Sequence, residues 1–251
     1  SSQGHLIVFN YFLNFESLLN FSILEANILA HLGSLLAVCI YYHRNILSII
    51  ISIKHLPRPD IDNNSAFLIN LFFASLPAIL FGYFFANFFQ YSSTFLILII
   101  GIVSIIFGIV LYFVDRFCLR IKGINELNFF SSLVIGITQC FAFIPGVSRS
   151  GAVLSMSRFL GFRRDFSVYF SNMLSIPVIL GASSYLIYNN QNIFFHDILN
   201  FQSFAIVIFS FLFSIFFIHF FVTWVRKASL LLFVIYRLIF GSFLIFLFFS
   251  I

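Results

Sequence analysis

Charge is scarce in this sequence. Asp, Glu, Lys and Arg make up 8% of its 251 residues, against about a quarter in an ordinary soluble domain. Hydrophobic residues reach 61% and the mean hydropathy is +1.09. Such a chain cannot cover its apolar surface with water-compatible groups, which excludes a soluble globular protein. The same figures exclude disorder, which needs low hydrophobicity and high charge. Cysteine is nearly absent. Cys39, Cys118 and Cys140 are odd in number and lie in or beside apolar runs, so neither a disulfide framework nor a metal-ligand spacing is present. Tryptophan occurs once, whereas phenylalanine occurs 41 times; the excess is assigned to lipid-facing positions, not to an aromatic binding site. The opening residues Ser1-Ser2-Gln3-Gly4-His5 hold no Met and no basic stretch before an apolar core, so they are not a signal peptide. They are expected to begin inside a longer reading frame.

What is present is a series of long apolar runs. A membrane span needs about 20 mainly apolar residues. Six stretches qualify, at about 20–42, 66–88, 93–115, 166–188, 201–224 and 228–250. A further stretch, 129–160, is interrupted by Pro145-Gly146-Val147-Ser148-Arg149-Ser150-Gly151, and proline with two glycines breaks a helix. Its first limb, 129–143, would be about 22 Å long, short of the roughly 30 Å hydrocarbon core. The second limb is predicted over 152–160. The segment either crosses with a break or dips in and returns.

Basic residues decide between these. Arg44, Lys54 and Arg58 follow the first span, and Arg116, Arg120 and Lys122 the third. Arg158, Arg163 and Arg164 follow the broken segment, and Arg226 and Lys227 the fifth span. If 129–160 is re-entrant, all eleven fall on one side; if it crosses, they split six to five. The positive-inside rule selects re-entry and makes the basic loops cytoplasmic. It also accounts for the formal charge of +5 and the pI near 9.3 without nucleic acid as a partner.

Ser1-Ser2-Gln3-Gly4-His5-Leu6 and Ser148-Arg149-Ser150-Gly151-Ala152-Val153 share a Ser, a Gly three residues on or nearby, and a following apolar limb. Leu32-Gly33 and Leu180-Gly181 repeat at nearly the same offset, and three spans follow each loop. An odd number of spans per half inverts the second half. The expected fold is an all-α polytopic integral membrane protein with about six transmembrane helices and two re-entrant helix-loop-helix elements in an inverted-topology internal repeat. It is one membrane domain over 1–251, with a first repeat at 1–115, lacking its N-terminal limb, and a second at 129–250. Such repeats place a polar site near the midplane, where the halves meet.

Arg149 and Arg237 are the two basic residues at membrane depth. A buried guanidinium is costly unless paired or wet, and no acid in the sequence is an obvious partner for Arg149. An anionic ligand would satisfy it, because the planar fork suits phosphate oxygens. The N–H groups of Ser150, Gly151 and Ala152 are expected to open the second limb as an anion site, with the Ser148 and Ser150 hydroxyls as further donors. His5 could protonate a leaving phosphate or activate a nucleophile. His31 is read as an interhelical hydrogen-bonding residue, Glu25 as interfacial, and Gln139 as a packing or hydrogen-bonding residue close to the loop. Arg237 either reaches the cavity or pairs with a backbone carbonyl.

Ser1-Ser2-Gln3-Gly4-His5 resembles the Ser-Ser-x-Gly-His motif of the bacterial undecaprenyl-diphosphate phosphatases of the bacitracin-resistance type. Pro145 to Gly151 resembles their Pro-Gly-x-Ser-Arg-Ser-Gly motif. His31-Leu32-Gly33 and Tyr236-Arg237 are also similar to family patterns, and the resemblance covers essentially the whole chain. It implies an inner-membrane hydrolase that converts undecaprenyl diphosphate to undecaprenyl phosphate, recycling the lipid carrier for peptidoglycan synthesis at a site opening outward. Carried over, Ser2, His5, Ser148 and Arg149 match catalytic positions, and Gly4, Gly146, Ser150 and Gly151 the phosphate-binding turns. Gln139 and Arg237 would support them. The implied partners are undecaprenyl diphosphate and membrane lipid. A divalent cation, Mg or Ca, is implied too, but family members carry a Glu-rich segment just before the first motif and this sequence begins after it. Gln3 stands where Thr is usual. The chain is therefore expected to be a truncated member of low activity, with no complete metal site of its own. A membrane transporter or polyprenyl-phosphate flippase is the alternative on architecture alone.

Overall fold

The computed structural model describes residues 5, 23–57, 62–85, 93–189 and 201–250. Ser2 and Gly4 lie outside these residues, as does most of the first loop, and the side chain of Glu25 is not described. Among the described residues the chain is helical, with one isolated bridge, between Lys122 and Phe162. The long helices are α1 (Ile23–Tyr41), α3 (Asn63–Phe85), α4 (Ser93–Phe117), α7 (Arg164–Asn189), α8 (Phe201–Lys227) and α9 (Leu231–Ser250). They coincide with the six apolar runs. Five are long and apolar enough to cross a membrane unaided. The sixth span, α1, meets the short α2 (His43–Ile51) at a bend of 76°. The segment carrying Arg44 and Lys54 is thus helix and 3-10 turn rather than open loop.

Stretch 129–160 forms a broken pair. α5 (Phe129–Gln139) runs into a 3-10 turn, Cys140–Phe143, and the chain restarts as α6 (Arg149–Phe159). The Asn128 side chain caps α5 by accepting the Ser131 N–H at 2.9 Å. The second limb begins at Arg149, three residues earlier than the expected Ala152. Ser148 is the cause: its Oγ accepts the Gly151 N–H at 3.2 Å, a serine N-cap that fixes where the helix starts.

α4 packs on α9, α1 on α8, and α3 on both α5 and α7. Lipid tails are as apolar as leucine, so such contacts rest on close fit rather than on hydrophobic burial. Glycine provides it where α4 crosses α9: a Cβ on Gly101 would sit 2.9 Å from the Gly241 carbonyl, and one on Gly241 would sit 2.7 Å from that of Gly101. α6 lies inside, between α4, α5 and α7. Val153, Phe162, Phe170, Met173 and Leu174 are wholly buried around it.

Arg158 and Arg164, read from the sequence as basic loop residues, are tied into the bundle. Arg158, at the end of α6, is fully buried. Its Nε donates to Asp115 Oδ1 at 3.2 Å and its Nη groups to the carbonyls of Cys118, Leu119 and Phe162. Arg164 grips the same carboxylate through both oxygens at 2.7 Å, and the Leu230 N–H donates to Oδ2 at 3.2 Å. Asp115 thereby ties α4 to α6, α7 and the start of α9.

Candidate active site

The break between α5 and α6 is a tight turn. The Val147 N–H donates to the Ile144 carbonyl at 3.1 Å, with Pro145 and Gly146 between them. Gly146 has φ of +96°, and a Cβ there would meet the Ile100 carbonyl at 2.8 Å. That is the residue pattern of a type II turn, Pro then Gly, pressed against α4. Arg237 of α9 clamps it. Its Nη2 donates to the Gly146 carbonyl at 3.0 Å and its Nε to the Ser104 carbonyl at 3.2 Å. Both expectations for Arg237 are met, since it pairs with carbonyls and also lines a cavity. Gly146, buried in the turn, offers its carbonyl to Arg237. At Gly151 the guanidinium passes close to α6: a Cβ there would lie 3.1 Å from Arg237 Nη1.

Immediately after the turn stand Ser148, Arg149 and Ser150. The two serine oxygens are 3.0 Å apart. The N–H groups of Gly151 and Ala152, expected to face a ligand, are occupied by Ser148 Oγ and its carbonyl. The N–H groups of Arg149 and Ser150, in the first turn of α6, have no partner among the described residues. The Arg149 side chain likewise has no hydrogen-bond or ion-pair partner among them.

Arg149 lies where two cavities meet. One, of about 570 Å³, extends toward the start of α1 and the end of α7, and Asn27, His31, Gln139, Ser183 and Ser210 line it. The other, of about 400 Å³, extends toward the Asp115 end, with Asn172, Ser175 and Tyr236 among its polar residues and Phe217, Phe221 and Phe233 on its apolar wall. Ser34, Ser148, Arg149, Ser150 and Ile179 belong to both. His31, read from sequence as an interhelical hydrogen-bonding residue, faces the larger cavity beside Arg149. Gln139 is 2% exposed and its Nε2 has no partner among the described residues, so it presents a buried donor on the wall of the same cavity. Asn172 and Ser175 carried no sequence signal. They sit on α7 at i and i+3, a spacing that becomes informative once α7 is known to flank α6.

His5 is held on α9. Its Nε2 is hydrogen-bonded to the Tyr236 hydroxyl, and its ring stacks on Phe240 with centroids 4.4 Å apart. Consecutive residues of α9 thus serve the two motifs: Tyr236 meets His5, and Arg237 meets the 144–148 turn.

Among the described residues no three His, Cys, Asp or Glu side chains converge. The groups around Arg149 are guanidinium, hydroxyl, amide and N–H donors. With the His31 imidazole beside them, they form a donor-rich set that suits an anion.

The family model described as bacitracin resistance protein BacA matches residues 1–243. An undecaprenyl-diphosphatase of Caldicellulosiruptor bescii is 32% identical over 238 residues, covering 94% of this chain and 86% of the relative. One of Pelagibacter ubique is 36% identical over 246 residues, covering 95% and 87%. One of Alcanivorax borkumensis is 33% identical over 251 residues, covering 98% and 91%.

Proposed function

The chain belongs to the bacitracin resistance protein BacA family, and on that premise we propose that the pocket around Arg149 is where it removes the terminal phosphate of undecaprenyl diphosphate. The protein is a multi-pass membrane hydrolase that converts undecaprenyl diphosphate and water to undecaprenyl phosphate and inorganic phosphate, the activity for which its relatives are named. The observation that carries the site is the Arg149 guanidinium at the start of α6, unpaired among the described residues, beside two serine hydroxyls and two N–H groups open among the same residues.

Arg149, Ser148 and Ser150 hold the terminal phosphate, and the N–H groups of Arg149 and Ser150 point the positive end of α6 at it. As the phosphoanhydride bond breaks, negative charge grows on the bridging oxygen and on the transferred phosphoryl. Fixed donors aimed there stabilise the transition state more than the ground state. Gln139 supplies one more donor from the cavity wall. Arg237 is a positioning residue, fixing the turn that aims Ser148 and Arg149. His5, oriented by Tyr236, moves the proton: it takes one from the nucleophile or gives one to the leaving phosphate. Ser2 as a catalytic and Gly4 as a phosphate-binding position belong to the same proposal by motif alone.

The same reading places the protein in the bacterial inner membrane, with the Arg116, Arg163 and Arg226 end cytoplasmic and the larger cavity opening outward. The pairing of helices supports an inverted repeat with halves 1–115 and 129–250. α1 with α8 mirrors α7 with α3, and the second loop on α4 mirrors His5 on α9. Cavities on both sides of Arg149 favour lipid translocation as a second reading.

Phosphate release from undecaprenyl diphosphate in detergent tests the proposal, with Arg149→Gln as comparison and melting temperature as the folding control. The expected result is release by the wild type and its loss in a folded variant. Equal release by both overturns the site. A folded wild type that releases none, yet moves a labelled polyprenyl phosphate across proteoliposomes, replaces hydrolysis with transport.

A further inference from the structure

The basic end of the bundle holds a second arginine cluster, at the opposite end of α6 from Arg149. A cavity of about 120 Å³ lies between the end of α4, the start of α7 and the start of α9. Arg116, Arg120 and Arg164 line it together with Ser229. The acid on its wall, Asp115, is already spent, because the Nε atoms of Arg158 and Arg164 donate to its Oδ1 at 3.2 and 2.7 Å. Among the described residues, four guanidinium groups against one carboxylate leave three positive charges without a counter-charge. Arg120 donates to the Asp115 carbonyl at 2.7 Å. Arg116 is exposed, with no hydrogen-bond or ion-pair partner among the described residues.

The cavity's other wall is apolar and open. Tyr112 is 39% exposed and Leu231 is 45% exposed, both on helices that cross the membrane. The chain leaving α4 alternates in kind: Phe117, Leu119 and Ile121 are largely exposed, between Arg116, Arg120 and Lys122. Such a segment is stable only at an interface, where the apolar side chains enter acyl chains and the basic heads meet phosphates.

We infer that this cavity binds the phosphate of one anionic phospholipid of the surrounding leaflet, its acyl chains lying along Tyr112 and Leu231. The inference stands apart from the catalytic reading, since Arg116, Arg120 and Arg164 do not line the Arg149 pocket. Native mass spectrometry and thermal melting of the detergent-purified protein test it, with phosphatidylglycerol, phosphatidylcholine and inorganic phosphate as the probes. The wild type is expected to retain one phosphatidylglycerol, preferred over phosphatidylcholine by about tenfold or more, with a raised melting temperature. The double variant Arg116→Gln, Arg120→Gln is expected to lose the preference while releasing phosphate from its substrate at the wild-type rate. Arg116→Gln alone disturbs no described contact and is expected to lower the preference several-fold, which keeps the test valid if the double variant unfolds. Equal retention of phosphatidylcholine, or an unchanged preference in Arg116→Gln, overturns the inference. Equal stabilisation by inorganic phosphate overturns it in favour of a soluble anion.

Discussion

The two ends of α6 carry arginines in opposite circumstances. Arg158 is wholly buried and over-provided, with a carboxylate and three carbonyls around its guanidinium. Arg149, at the other end of the same helix, is partly buried and has no partner among the described residues. A charge withdrawn from water is tolerated when its partners are supplied, and the partner's identity tells what the charge is for. Partners built into the chain make Arg158 a fastener. A partner left to come from outside is what the proposed phosphate-binding role of Arg149 requires. The fastened end holds the open end still, which is what pre-organisation at the phosphate requires.

The contrast can be broken first at the open end. Arg149→Ala is expected to lower kcat/KM by about a thousandfold while leaving the melting temperature at or above the wild-type value, measured by phosphate release and calorimetry. Asp115→Ala should do the reverse in kind. It leaves Arg158 buried without its carboxylate, so stability is expected to fall by about 3–5 kcal/mol, read from denaturation in mixed micelles. Giving Arg149 a partner sharpens the comparison: Ser150→Asp supplies a carboxylate in the first turn of α6, and activity should fall at least about a hundredfold in a protein that melts higher. Between the two ends, Gly146→Ala forces a side chain into a positive-φ position against the Ile100 carbonyl, at a cost of about 2 kcal/mol and with loss of activity.

The smallest effect is expected at Asp62, the acid just before α3. The Ser52 hydroxyl and the Asn64 N–H hold its carboxyl below the usual carboxylate range. A lowered carboxyl pKa stabilises the fold above its unfolded value, near about 4, and that gain is lost as pH falls through the folded value. Asp62→Asn should therefore melt slightly lower at neutral pH and match the wild type in acid. A difference that persists in acid would assign the effect to packing.

The six spans and the broken segment were legible because each is a run of apolar residues with one interruption, and composition alone marks both. Arg149 was legible as a charge with no acid to answer it. The N-cap at Ser148 moved the helix start to Arg149, a shift set by one side-chain hydrogen bond that hydropathy does not carry. Asp115 was illegible for a different reason. It lies 43 residues from Arg158 and 49 from Arg164 in the chain, and spacing cannot pair residues brought together by helix packing. His31, Asn172 and Ser175 became site residues only once α1 and α7 were placed around α6.

Tyr236 and Arg237 give α9 a consequence of its own. One step along the chain separates the residue that steadies His5 from the residue that clamps the 144–148 turn. A small slide or rotation of this helix would misalign both motifs together. The Gly101–Gly241 crossing, which sets how deeply α9 sits against α4, is therefore a master alignment for the site. Natural variation there should be far more constrained than on the Phe-rich flank of α8, where one bulky side chain can replace another and nothing downstream notices.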